Sequence, residues 1–151
     1  MIPNAPKIDA EPPSIDRCKN QLREAKTDQE KAIIRAGWDL FGPIQTYDKT
    51  SVITAMSGVD GMCRPLGYQA FVFVEGQFAG TLSPETMNSR LDGDISRIFL
   101  TSPSSLFVEY KRYRESDPLC CPSGTNRVDF KIEPKDAKPF LVPVNVTTEN
   151  K

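Results

Sequence analysis

The chain has 151 residues, of which 38% are hydrophobic and 26% charged, the size and make-up of a single globular domain. Its 19 basic and 20 acidic residues give a net charge of -1, which argues against a nucleic-acid binder, since that needs a basic face to displace counterions from phosphate. There is no histidine, which removes Ser-His-Asp and Cys-His catalysis and mixed histidine metal sites.

Residues 1–25 hold Pro3, Pro6, Pro12 and Pro13 among mixed charges and show no periodicity, so they read as an extended, Pro-rich arm tied down at Cys18. The opening Met1-Ile-Pro-Asn-Ala-Pro6 lacks the basic and apolar regions of a signal peptide. Either the protein is cytosolic or a leader has been removed ahead of Met1; the cysteines favour the second reading.

Thr27-Asp-Gln-Glu30 has the form of a capping box, and Ile33, Ile34, Gly37, Trp38, Leu40 and Phe41 follow at spacings of three and four. This predicts an amphipathic helix that Gly42-Pro43 stops, with Trp38 as a core anchor. Beyond it the chain reads as β. Ser51–Met56 is a strand or a short helix, and Val59–Gly67 carries turn residues around Cys63.

Tyr68–Glu75, rich in aromatic and β-branched residues, turns at Gly76 into Phe78–Leu82, predicting a hairpin. Ser83 to Asp94 is read as turns, with a short helical possibility at Glu85-Thr-Met-Asn88. Ile95–Leu100 is a strand, as is Leu106–Tyr113, whose Leu106, Val108, Tyr110 and Arg112 face the core. Arg127–Ile132 alternates cleanly, with Val128, Phe130 and Ile132 inward. Pro134, Pro139 and Pro143 are expected to end regular structure, leaving 144–151 as a polar tail. The expected architecture is α+β: an antiparallel meander of about five strands in one domain, 26–143, with one N-terminal helix packed on it and disulfides stabilising it.

Four cysteines allow three complete pairings. A bridge between the neighbours Cys120 and Cys121 closes a very small ring. The preferred pairing therefore joins one of them to Cys18 and the other to Cys63, each bridge closing a loop of more than fifty residues. Free thiols, a four-thiolate zinc site and a redox dithiol are the competing readings, although no C-x-x-C spacing supports the last two.

Phe71–Leu82 with Gly80-Thr81, the strand Val108–Tyr113, the run Asp117-Pro-Leu-Cys-Cys-Pro-Ser123 and Val128-Asp-Phe130 together resemble the bacterial LppP/LprE-type lipoproteins over residues 60 to 132. The resemblance implies an extracytoplasmic protein of the periplasm, the cell envelope or the secreted fraction, lipid-anchored or free, with no established activity; separately, no cofactor is expected. Cys18 follows charged residues and not a small apolar box, so it is a poor lipid acceptor. Any membrane contact would run through an anchor absent from this chain.

Chemistry beyond the cysteines is thinly signalled. Asp92-Gly-Asp94 reads as a solvated turn more than a calcium loop, and Asn145-Val-Thr147 is a glycosylation sequon in the tail. Asp60, Glu75, Glu85, Asp92, Asp94, Glu109 and Asp117 supply carboxylates without a spacing that selects a catalytic pair. Arg64, Arg90, Arg97 and Arg112 offer planar cations for an anion, against the plainer reading of ion pairs on a solvated face. Arg64, Arg112 and Asp117 are the candidate ligand-binding residues; no catalytic or metal-binding residue is singled out. The expected function is non-enzymatic binding of an envelope protein or a small ligand, or a structural role, with a carboxylate-dependent hydrolase as the alternative.

Overall fold

The computed structural model describes residues 2–6, 18–59, 63–83, 85–88, 93–118 and 120–149. The first sheet gathers seven strands: β1 (Asp39–Leu40), β2 (Gln45–Tyr47), β3 (Thr50–Met56), β4 (Gly58–Val59), β5 (Pro65–Val74), β6 (Gln77–Thr81) and β7 (Met87–Asn88). The second holds β8 (Asp94–Ser102), β9 (Ser105–Arg112), β10 (Gly124–Lys135) and β11 (Lys138–Glu149) in the order β11-β10-β9-β8. Every pairing is antiparallel. The fold is therefore α+β, as the pattern predicts, but with eleven strands among the described residues instead of about five, several of them only two or three residues long.

The reason for two sheets lies in β5, which is buried along both faces. Tyr68, Ala70 and Val72 point into a core shared with Leu106, Val108, Tyr110 and Phe130 of the second sheet. Phe71 and Phe73 point the other way, into a core with Ile33, Trp38, Leu40, Ile53 and Ala55. The period of two along one strand thus feeds two separate cores. The molecule has three layers: helix and N-terminal segment, first sheet, second sheet. The predicted hairpin is present, with Glu75 and Gly76, both at positive φ, forming the two-residue turn between Val74 and Gln77.

Helix α1 spans Asp28–Arg35, and both hydrogen bonds of the Thr27–Glu30 capping box are made. It ends well before Phe41, correcting the longer helix the apolar spacing predicts. Gly37 adopts φ +99°, its N–H donates to the Ile34 carbonyl, and the Trp38 N–H reaches back to the Ile33 carbonyl. This glycine stop is built from backbone bonds, so it precedes the Gly42-Pro43 signal. Trp38, Leu40 and Phe41 consequently lie on extended chain, where Trp38 still anchors the core, edge-on to Phe71 with centroids 5.2 Å apart. The start of the chain covers this core. The Trp38 indole N–H donates to the Pro3 carbonyl (2.8 Å), and the Ala5 N–H donates to the Ala36 carbonyl (2.9 Å).

Regular structure does not end at the prolines. β10 and β11 form a long hairpin in which Pro134 pairs with Pro139 and Phe130 with Pro143. Both prolines of β11 sit on the sheet edge, and β10 has no β9 partner beyond Lys131, so the missing N–H groups break no interior ladder. The residues read as a polar tail therefore continue this edge strand as far as Glu149. Glu85-Thr-Met-Asn88 also runs into a strand, β7, and not a helical turn. Asp60, Arg90 and Asp92 lie outside the described residues.

Glu30 is fully buried near the start of the helix, where it accepts from the Lys26 and Thr27 N–H groups and pairs with Arg23. Two substitutions separate the contributions of packing and capping. Phe71→Ala is expected to lower unfolding free energy by about 3–5 kcal/mol, the usual cost of emptying a closed aromatic site. Thr27→Ala is expected to cost about 1 kcal/mol. Urea unfolding followed by tryptophan fluorescence measures both.

Candidate functional site

The two sheets do not close on each other along their whole length. On the side where β8 faces β2 and β3 they leave a cleft of about 690 Å³. Phe41, Pro43, Ile44 and Gln45 form one wall, Val52 and Thr54 of β3 the floor, Cys63, Arg64, Pro65 and Tyr68 one end, and Ile95 to Ile98 of β8 the opposite wall.

A bulge in β8 shapes that wall. Ile95 pairs with Tyr110 and Arg97 with Glu109, so one extra residue enters between them and the side-chain alternation shifts. Ile95 and Ile98 both pack on the inner core, while Arg97 turns outward to Glu109 (3.9 Å) and lies over the Phe99 ring. Outside, Phe99 stacks on Phe107 at 4.9 Å and Arg127 covers Phe107 at 3.8 Å, so the solvent face of β8–β10 is a mixed aromatic and ionic ladder.

The Gln45, Thr54 and Tyr68 side chains of the cleft are engaged within the protein. Gln45 donates to the Ile98 carbonyl (2.7 Å) and accepts from the Leu100 N–H (2.9 Å), stitching the first sheet to the second. The Thr54 hydroxyl donates to the Phe41 carbonyl, and the Tyr68 hydroxyl to the Gly93 carbonyl. What remains on the walls is largely apolar. None of the lining residues among those described is acidic.

Of the three candidate ligand-binding residues, the structure brings one to the cleft. Arg64 stands at its end, donating to the Tyr113 hydroxyl (3.1 Å). Arg112 belongs to the end of β9, its guanidinium over the Tyr110 ring at 5.0 Å, outside the lining. Beneath it Tyr110 is buried and donates to the Leu82 carbonyl; burial pushes its hydroxyl up to about 12, against the opposing charge of Arg112. Asp117 also lies outside the cleft lining and organises its own loop. Its carboxylate accepts from the Arg114 N–H (2.7 Å), the Ser123 N–H (2.8 Å) and the Ser123 hydroxyl. Sequence reasoning missed the cleft walls themselves. Gln45 and Ile98 are separated by 53 positions, and no local pattern announces that they meet.

The cysteine pairing differs from the preferred one. Cys18 bonds Cys63, with Cα atoms 5.5 Å apart, and Cys120 bonds its neighbour Cys121, with Cα atoms 3.7 Å apart. The fold explains the choice. Cys18 is buried beside the β3–β4 corner, and Cys63 returns from that corner into β5 at the end of the cleft. The loop bearing Cys120 and Cys121 is exposed beyond β9, held by Asp117, so its nearest sulfur partner is its own neighbour. Cys18–Cys63 spans 45 positions, and closing a loop of that size stabilises by about 4 kcal/mol on the chain-entropy account. Among the described residues no cluster of acidic or cysteine side chains is arranged to hold a metal ion, and no helix is long and apolar enough to cross a membrane.

The Asp117 carboxyl is held below the usual carboxylate range, first by the Arg114 N–H and then by the Ser123 N–H. A depressed folded value means the loop gains stability above the unfolded value of about 3.9 and loses it as pH falls through the folded one. The carboxyl carbon resonance of Asp117 is therefore expected to titrate below about pH 3.9, with the Ser123 amide losing exchange protection over the same range. Titration at an ordinary value, with Ser123 indifferent, would refute the clamp.

No curated protein and no solved structure matches the chain. The sequence model of the LppP/LprE lipoprotein family matches residues 45–135, from Gln45 at the cleft wall to Lys135 at the end of β10. The match covers more than half of the chain and takes in β2 to β10, the cleft floor, the β8 wall and the vicinal cysteine loop, and on that ground the chain belongs to the LppP/LprE lipoprotein family.

Proposed function

We propose that this domain works outside the cytoplasm, at the cell envelope, as a non-enzymatic binding protein that takes a small, largely apolar ligand between its two sheets. The cleft carries the reading. Its volume falls within the range of small-molecule sites, most of its lining is apolar, and its Gln45, Thr54 and Tyr68 side chains are spent on the protein's own backbone. A polar ligand would find few partners on those walls, whereas an apolar one gains roughly 25 cal/mol for each Å² it removes from water. Arg64 at the end of the cleft gives the ligand's orientation a polar reference, and it is the member of the Arg64, Arg112 and Asp117 set that this reading retains. Binding is favoured over carboxylate hydrolysis because the lining supplies no acid–base pair among the described residues. The extracytoplasmic placement rests on the family and on the cysteines being paired, since disulfides persist in oxidising compartments.

The test uses the full chain and N-phenyl-1-naphthylamine, a neutral apolar dye that brightens out of water. Saturable one-site binding is expected. Ile98→Glu, which puts a charge on the inner wall, should weaken it about tenfold or more. Phe99→Glu, on the outer face of the same strand, should leave the affinity unchanged and so controls for damage to β8. Absence of saturable binding, or equal loss in both variants, would overturn the proposal.

A further inference from the structure

The second sulfur bridge lies apart from the cleft, and its placement carries a separate inference. Cys120 and Cys121 are both exposed, whereas Cys18 is 4% exposed and Cys63 packs against the inner core. The loop that presents the pair is fastened without help from sulfur. Asp117 takes the N–H groups of Arg114 and Ser123 and the Ser123 hydroxyl, its own N–H donates to the Arg114 carbonyl (2.9 Å), and the Cys121 N–H donates to the Pro118 carbonyl (3.0 Å). At the base of the loop, Gly124 pairs with Arg112 in the β9–β10 ladder. A bridge between chain neighbours closes only a very small ring, so it contributes little of the chain-entropy stabilisation that Cys18–Cys63 provides.

A cross-link that is accessible, held in a frame independent of it and nearly without effect on the fold is suited to chemistry more than to support. We infer that Cys120–Cys121 is a thiol–disulfide exchange site whose co-reactant is a thiol reductant, a small monothiol or the dithiol of an oxidoreductase. A thiolate of the reductant attacks one of the two sulfurs. A mixed disulfide forms, the protein S–S bond breaks, and the electron pair leaves on the other cysteine, which takes a proton from water. A second thiolate of the reductant then attacks the mixed disulfide and releases the oxidised reductant. The protein gains two electrons and two protons as Cys120 and Cys121 become thiols, and the reverse sequence closes the bridge again.

The full-length folded protein is incubated with graded dithiothreitol or with graded glutathione, alkylated without unfolding and read by peptide mass spectrometry. Cys120 and Cys121 are expected to be alkylated at reductant concentrations at least about tenfold below those that expose Cys18 and Cys63. Labelling with either reagent supports exchange, and a response to dithiothreitol alone points to a dithiol as the co-reactant. The double variant Cys120→Ser, Cys121→Ser should lose the low-concentration step and keep its urea midpoint, the result of a bridge that does not support the fold. If the two bridges open together, if Cys18–Cys63 opens first, or if the double variant loses the fold, the inference fails.

Discussion

A strand buried on both faces cannot rest at the surface of a sheet with one wet side, and β5 is such a strand. With Phe71 and Phe73 on one side and Tyr68, Ala70 and Val72 on the other, it obliges the chain to supply two covers. The helix and the N-terminal segment make one. The β8–β11 meander makes the other. Each cover is shaped by what β5 presents. The helical side receives aromatic rings and answers with Trp38, which meets Phe71 edge to face, an arrangement favoured by the ring quadrupoles. The meander side receives Tyr68, Ala70 and Val72 and answers with Leu106, Val108, Tyr110 and Phe130, so side chains of the two inner faces share one core.

The same arrangement shows what was legible in the amino-acid sequence. Where a signal is local, it reads through. The Thr27–Glu30 box caps the helix, the Gly76 turn makes the hairpin, and the alternation in Leu106–Arg112 and Arg127–Ile132 sorts inner from outer faces as the period requires. The helix end was hidden because spacing alone cannot tell apolar residues on a helix from apolar residues on the extended chain that follows. Trp38, Leu40 and Phe41 satisfy both patterns, and the decision falls to the backbone of Gly37. The C-terminal strand was hidden for a related reason. Proline forbids an interior ladder position, yet an edge strand has a free side, and edge status is a property of the whole sheet.

The disulfides show the limit of pairwise reasoning. Objecting to a bridge between neighbours is sound when only two residues are considered, but pairing is decided by which sulfurs the fold brings together. Cys18 and Cys63 meet because both flank the corner from β3 through β4 into β5, and after that no other partner is within reach of the exposed loop. The two bridges then divide the labour. One closes a span of 45 positions and secures the N-terminal segment to the sheet, while the other leaves chain entropy almost untouched.

The cleft follows from the mismatch between the two covers. The meander is joined to the first sheet at one end through Gln45, whose amide holds the backbone of β8 at Ile98 and Leu100. At the other end Tyr68 and Arg64 hold the β5 entry to Gly93 and Tyr113. Between these two ties β8 bulges between Ile95 and Arg97, and Ile95 and Ile98 line the cleft together with Val52. Repairing the bulge would return the alternation to register and bring Arg97 to the inner face, where a buried guanidinium is costly. The extra residue thus turns Arg97 toward Glu109 while Ile95 and Ile98 both stay on the inner face. The irregularity between Ile95 and Arg97 therefore decides which side chains of this edge strand face the core and which face Glu109.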